Sequence, residues 1–257
     1  MTLIAVIFSL VGIVVWVVAG VLVHFRRKTL KKTDLMRSVE TSGARDIASK
    51  APGTLVEVKG TLRCEEPLKS EMAEQTCAYY LSQVIREYED TDRDADGDLE
   101  TTRRSEVIAS NERFAPFVVE DESGAVGVRG AGAEVDALEV TNRFERDTGG
   151  AGTISLGGLT MNLGGGPRTI GYRYVESVLP IDAPVYVLGA VHADREIGAP
   201  AQESEESKFL ISYRSEEQLE KKYRRDALFL GLIAVGLFLF GLIFLAVGIG
   251  MGVAVHF

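Results

Sequence analysis

The densest set of chemically capable side chains lies between Asp90 and Glu100, which reads DTDRDADGDLE. Asp92, Asp94, Asp96 and Gly97 have the spacing of the first half of a calcium loop, where alternate carboxylates offer hard oxygen ligands and a glycine makes the sharp turn. Such a loop also needs a bidentate glutamate at its twelfth position. Counted from Asp92 that position is Arg103, a cation. The stretch is therefore read as an acidic turn joining two strands.

Zinc and nucleophilic chemistry find even less material. A zinc site takes about four ligands, and Cys64, Cys77 and His192 fall short; His24 and His256 sit at the edges of apolar runs. The two cysteines read as small buried thiols, reduced in a cytoplasmic setting; a disulfide would fit only an inverted topology. No G-x-S-x-G elbow is present. His192 is the one candidate base inside the polar part of the chain, it has no recognisable nucleophile, and it reads as a polar strand-end residue. No catalytic, cofactor-binding or metal-ligating residue is assigned, and no cofactor is expected.

Thr148 to Pro167, TGGAGTISLGGLTMNLGGGP, is the least ordinary stretch. No Gly-Lys-Ser/Thr follows, so it is not a phosphate loop. Flexible low-complexity sequence is one reading. Alternation offers another: Ile154 and Leu156, then Gly157-Gly158, then Leu159, Met161 and Leu163 form a hairpin with one apolar face. That face either packs on the β-domain or dips toward lipid headgroups or docks a partner.

Two apolar runs position everything else. Leu3–Phe25 and Ala227–Val255 contain no Asp, Glu, Lys or Arg. The second has about 29 residues, enough at ~1.5 Å each to cross a hydrocarbon core of ~30 Å. A cleaved signal would need basic residues before the first run and a small-residue site after it. Instead Arg26, Arg27, Lys28, Lys31 and Lys32 follow it, so a retained membrane helix is expected. Lys221, Lys222, Arg224 and Arg225 precede the second run. Both basic clusters thus face the middle of the chain, which the positive-inside bias assigns to the cytoplasm, with both termini outside a cell membrane crossed twice. Gly248 and Gly252 form a G-x-x-x-G pair suited to homo-oligomeric helix pairing. The lipid bilayer is an expected partner. Nucleic acid is not, because the net charge of −9 falls wholly between the two runs.

The expected division is residues 1–25, first membrane helix; 26–50, a basic segment, either an amphipathic continuation or a solvated linker; 51–213, a β-rich domain; 214–226, a juxtamembrane helix; 227–255, second membrane helix. Strands are predicted at Thr54–Leu62, Cys77–Tyr88, Thr101–Ser110, Arg113–Glu120, Val185–His192 and Phe209–Tyr213. Phe117–Arg129 reads as a tight hairpin about Asp121–Gly124, and Ala193–Ser207 as a loop. Ser215 and Gln218 have capping-box spacing, which predicts one continuous helix from there through the second apolar run. The fold class is two transmembrane α-helices flanking a mainly-β soluble domain, an antiparallel barrel or sandwich of OB-like strand count.

The order of several segments now resembles the GIDE, or beside-a-membrane, domain of mitochondrial-type membrane-anchored E3 ubiquitin ligases and their prokaryotic relatives. The resemblance is carried by LVEVKGTL from Leu55, CAYYLSQV from Cys77, PFVVEDESGAVGVRGAGA from Pro116, YRYVESVLPIDAPVYVLGAV from Tyr172 and FLISYRSEEQL from Phe209. It implies a two-pass scaffold holding a β-rich module against a membrane; the function expected of that module is to recruit an unidentified protein partner, or to sense membrane state, through the barrel and its Gly-rich hairpin. In the eukaryotic ligases a zinc-binding RING follows the second helix. Two cysteines and three histidines cannot build one, so ligase activity is not expected of these 257 residues, and a component of a ubiquitin-ligase-like system is the alternative reading.

Overall fold

The computed structural model describes residues 2–93, 98–147, 152–156, 159–163, 168–202, 204 and 207–253. Long proline-free apolar sequence satisfies its backbone internally as helix, and the first and last elements are α1 (Thr2–Ser38) and α2 (Glu216–Val253). Helix α1 runs without a break through the basic cluster, so the helical continuation is the form taken by residues 26–38; a 3-10 turn follows at Ala44–Ser49. Helix α2 is continuous from Glu216, as the capping-box spacing predicts, with Ser215 at the N-cap position. The two helices pair antiparallel: Phe8 stacks on Phe244 with centroids 5.3 Å apart, and Trp16 on Phe238 at 5.3 Å. Close approach depends on small residues, because a Cβ on Gly241 would lie 2.5 Å from Trp16 Cδ1. Only 11% and 17% of their most apolar windows are buried. Each helix carries an apolar run that is long and apolar enough, by length and composition, to cross a membrane, with basic residues beside it.

The remaining elements form a separate unit. Its strands are β1 (Leu55–Arg63), β2 (Leu68–Lys69), β3 (Thr76–Arg93), β4 (Leu99–Phe114), β5 (Phe117–Asp121), β6 (Gly124–Val128) and β7 (Glu134–Asp136). After these come β8 (Leu138–Arg146), β9 (Gly152–Leu156), β10 (Leu159–Leu163), β11 (Arg168–Pro180), β12 (Pro184–Val191), β13 (Ile197–Gly198) and β14 (Leu210–Ser212).

Strands β1, β5, β6, β13 and β12 pair in that order, and β12 pairs β1 to close a five-stranded barrel. Val58, Val119, Val187 and Ile197 are fully buried in its core with Phe209 and Ile211. Each such burial stabilises by about 1.5–3 kcal/mol. Gly60 lies where β1 passes from β12 to β5; a Cβ there would meet the Glu120 carbonyl at 2.4 Å. A hydrogen would be the only side chain that lets the strands close at that point.

A second antiparallel sheet has the order β4-β3-β11-β8, with β2 on the same edge of β3 as β4. The β3–β4 ladder runs from Tyr79 opposite Phe114 to Arg93 opposite Leu99. The acidic stretch thus caps a long hairpin, Asp92 opposite Glu100, while residues 94–97 of the calcium-like half-motif lie outside the described residues.

Three expectations need correction. The strand break placed after Ser110 falls instead at Ala115-Pro116: Asn111 keeps its ladder position opposite Ser82, and Pro116 lacks an N–H. The loop 193–207 contains β13, whose Ile197 pairs in parallel with Val128 and completes the barrel. Two long strands, β8 and β11, went unread. Polar residues at half of their positions hide the alternation, and β8 buries none of its residues.

Candidate functional site

The second sheet carries a buried carboxylate at its centre. Glu176 on β11 is directly opposite Ser82 on β3 and is fully buried. It accepts hydrogen bonds from Ser82 Oγ at 2.6 Å, Ser70 Oγ at 2.8 Å, and the backbone N–H groups of Met72 and Ala73 at 2.8 Å each. Burial pushes its carboxyl up; the donors from Ser82, Ala73, Met72 and Ser70 outweigh that and hold it below the usual carboxylate range. The chemical result is a pin. The turn between β2 and β3 is fastened to β11 through this one carboxylate.

That pin places Glu71 and Met72 on the wall of a cavity of about 430 Å³, lined also by Val84, Arg143, Ser155, Leu156 and Tyr174. Glu71 Oε1 accepts from Asn111 Nδ2 at 2.6 Å, and Asn111 also donates to Tyr80 Oη at 3.1 Å. Glu71 Oε2 is buried with no hydrogen-bond partner. Opposite it the Arg143 guanidinium lies 4.9 Å over the Tyr174 ring and pairs with Glu145 at 3.2 Å. Burial, and next the Glu145 charge, push the Tyr174 hydroxyl up. The lining thus offers an unfilled acceptor, an aromatic face and a cation, which suits binding a polar segment. Among the described residues it holds a serine and a carboxylate but no imidazole.

The glycine-rich hairpin contributes Ser155 and Leu156 to this lining. Strands β9 and β10 pair with Leu156 opposite Leu159 and Ile154 opposite Met161, the register alternation implied; Gly157-Gly158 lie outside the described residues. Leu156 is buried against Val84, Ala109 and Tyr172 of the second sheet. One residue of the apolar face therefore packs on the β-domain.

The other chemically capable residues are scattered. Cys77 is buried and Cys64 half-buried, and both are free thiols. Burial pushes the Cys77 thiol up to about 11, out of reach of thiolate chemistry at neutral pH. His192 follows β12, and its Nε2 bonds the Ala199 carbonyl at 2.9 Å. No cluster of His, Cys, Asp or Glu suited to a metal occurs among the described residues. Glu176, Glu71 and Tyr174 were missed by the sequence reading. The only signal for Glu176 was one acid inside the strand-forming run YRYVESVLP.

A family model described as GIDE, E3 ubiquitin ligase, matches residues 86–248, from within β3 into α2. No curated protein and no solved structure matches the chain. The match spans more than half of the 257 residues and includes most of the second sheet, most of the barrel and most of the last helix; this chain belongs to the GIDE family.

Proposed function

We propose that the chain is a membrane-anchored, non-catalytic interaction module. Helices α1 and α2 cross the bilayer, and the β-unit sits beside it on the cytoplasmic side, where the two basic collars meet anionic headgroups. The observation that carries the interaction reading is the cleft under the β9–β10 hairpin. Its wall is pinned by Glu176, and an unfilled acceptor in it, Glu71 Oε2, is buried. A protein partner presenting a backbone or side-chain N–H donor fills that place, with its apolar part against Tyr174 and Leu156.

Affinity capture of the tagged full chain from its own membranes, followed by mass spectrometry, tests this. Glu71→Gln retains an acceptor at Oε1 but puts a donor where the partner's donor should go. Partners recovered with the wild type and lost with this folded variant support the reading; equal recovery with both defeats it. The membrane part is tested separately. Alkaline carbonate extraction of the chain from vesicles, or digestion of the β-unit by protease added to intact cells, would overturn it.

The family description favours a second reading, a component of a ubiquitin-ligase-like system. Ubiquitin-like or conjugating proteins among the captured partners select it, and their absence from a partner set that depends on Glu71 selects the plain scaffold.

A further inference from the structure

Between α1 and α2 lies an apolar groove of about 650 Å³. It runs along α1 from Trp16 to Arg26, about 15 Å at the helical rise. Its floor is made of small residues, Ala19 and Gly20 on one helix and Gly231 and Ala234 on the other. Trp16 closes one end, its ring stacked on Phe238 and its Nε1–H donating to the Phe238 carbonyl at 3.2 Å. Arg26 is the single charged residue in the lining among the described residues and stands at the opposite end. Its side chain lies across α2 at Gly231, where a Cβ would come within 3.0 Å of Arg26 Nε. That Nε is buried and has no hydrogen-bond partner.

A buried donor on a cation that bonds nothing is costly, because its hydration has been lost without replacement. An apolar slot that ends at such a donor matches one molecule in a bilayer, a chain of hydrocarbon ending in a negatively charged oxygen. We propose that the groove is a binding site for an anionic phospholipid, its acyl chain lying over Gly20 and Ala234 and a phosphate oxygen accepting from Arg26 Nε. The inference rests on the membrane reading of the two helices. Charge favours lipid over a second copy of this chain. Arg27 and Lys28 follow Arg26 directly; a second copy would bring the same cations, whereas an anionic headgroup neutralises them.

Full-length protein in nanodiscs of mixed phosphatidylglycerol and phosphatidylcholine, released for native mass spectrometry, gives the test. The wild type should retain phosphatidylglycerol in preference to phosphatidylcholine. Arg26→Gln should lower that preference about tenfold, the worth of one charge-assisted hydrogen bond. Arg26→Lys, which keeps the charge but not the Nε–H, should lower it less. Gly231→Leu, which fills the floor, should reduce retention of both lipids while Arg26 remains. Equal retention of the two lipids by the wild type, or an unchanged preference in Arg26→Gln, overturns the proposal. So does a wild-type dimer that Gly231→Leu converts to monomer without any change in lipid, since that places a second copy in the groove. Carbonate extraction run on the same preparations keeps the failures apart: protein washed off vesicles defeats the membrane reading, and protein that stays but shows no lipid preference defeats only this site.

Discussion

The helical unit and the β-unit use apolar residues in opposite ways. In α1 and α2 large apolar side chains point outward: Ile13 is 51% exposed, Leu232 72%. In the barrel Ile197 and Ile211 are fully buried. The same chemistry thus serves two surroundings. Water drives the barrel's valines and isoleucines together, whereas the helices leave theirs uncovered and hold each other through small residues and aromatic stacking. Polar groups divide in the same way. The β-unit buries Glu176 with four donors; the charges of the helices stand at the ends of their apolar runs.

The sharpest way to break this contrast is to empty the β-unit's pin. Glu176→Ala leaves two hydroxyls and two backbone N–H groups without their acceptor, and it should destabilise the β-unit by about 3–5 kcal/mol. Urea denaturation of the full chain in detergent, followed by the β-sheet circular dichroism, should show the sheet transition at lower urea with the helical signal intact. An unmoved transition would mean that the loop is held by something other than Glu176.

A matched pair of substitutions comes next. Ile197→Ala, in the barrel, should cost about 2–5 kcal/mol from lost transfer energy plus a cavity. Ile13→Ala, on the open face of α1, should change the unfolding of the detergent-solubilised chain by less than about 0.5 kcal/mol. Similar costs at the two sites would erase the distinction between the units. Gly241→Val should push the helices apart by crowding Trp16 and cost about 1–3 kcal/mol of helix pairing. Loss of disulfide crosslinking between cysteines introduced at Phe8 and Phe244 would report it.

The smallest effect is a pH dependence. Glu176 has a folded pKa below its unfolded value, about 4.3 for an ordinary glutamate. Its contribution is therefore complete above about pH 4.3 and is lost as pH falls from there through the lowered folded value. Urea midpoints measured down that range should fall for the wild type and fall less steeply for Glu176→Gln. Parallel slopes would place the acid sensitivity on other carboxylates.

Particular residues show how far the sequence could be read. The two helices and the start of α2 followed from local features: an unbroken apolar run, no proline, and Ser215 three residues before Gln218. The β5–β6 hairpin was equally local. Asp121 accepts from the N–H groups of Ser123 and Gly124, and Gly124 takes a φ of 152° that favours glycine. Strand β13 escaped notice because a two-residue strand has no period to detect; only its partners Val128 and Val191 make it one. The cleft was hidden for a related reason. Glu71 and Arg143 are separated by about seventy residues, and nothing in either neighbourhood marks them as facing one space.

By itself, then, the order of amino acids determined where the chain must be helical, which segments must avoid water and which must carry charge, because hydropathy and helix propensity act over a few neighbouring positions. Tertiary structure decided how β12 closes on β1, which carboxylate is saturated and which keeps an open oxygen, and that Arg26 comes to lie over Gly231. Those outcomes depend on pairings between residues far apart along the chain, whose energies exist only once the backbone has brought them within hydrogen-bonding or packing distance.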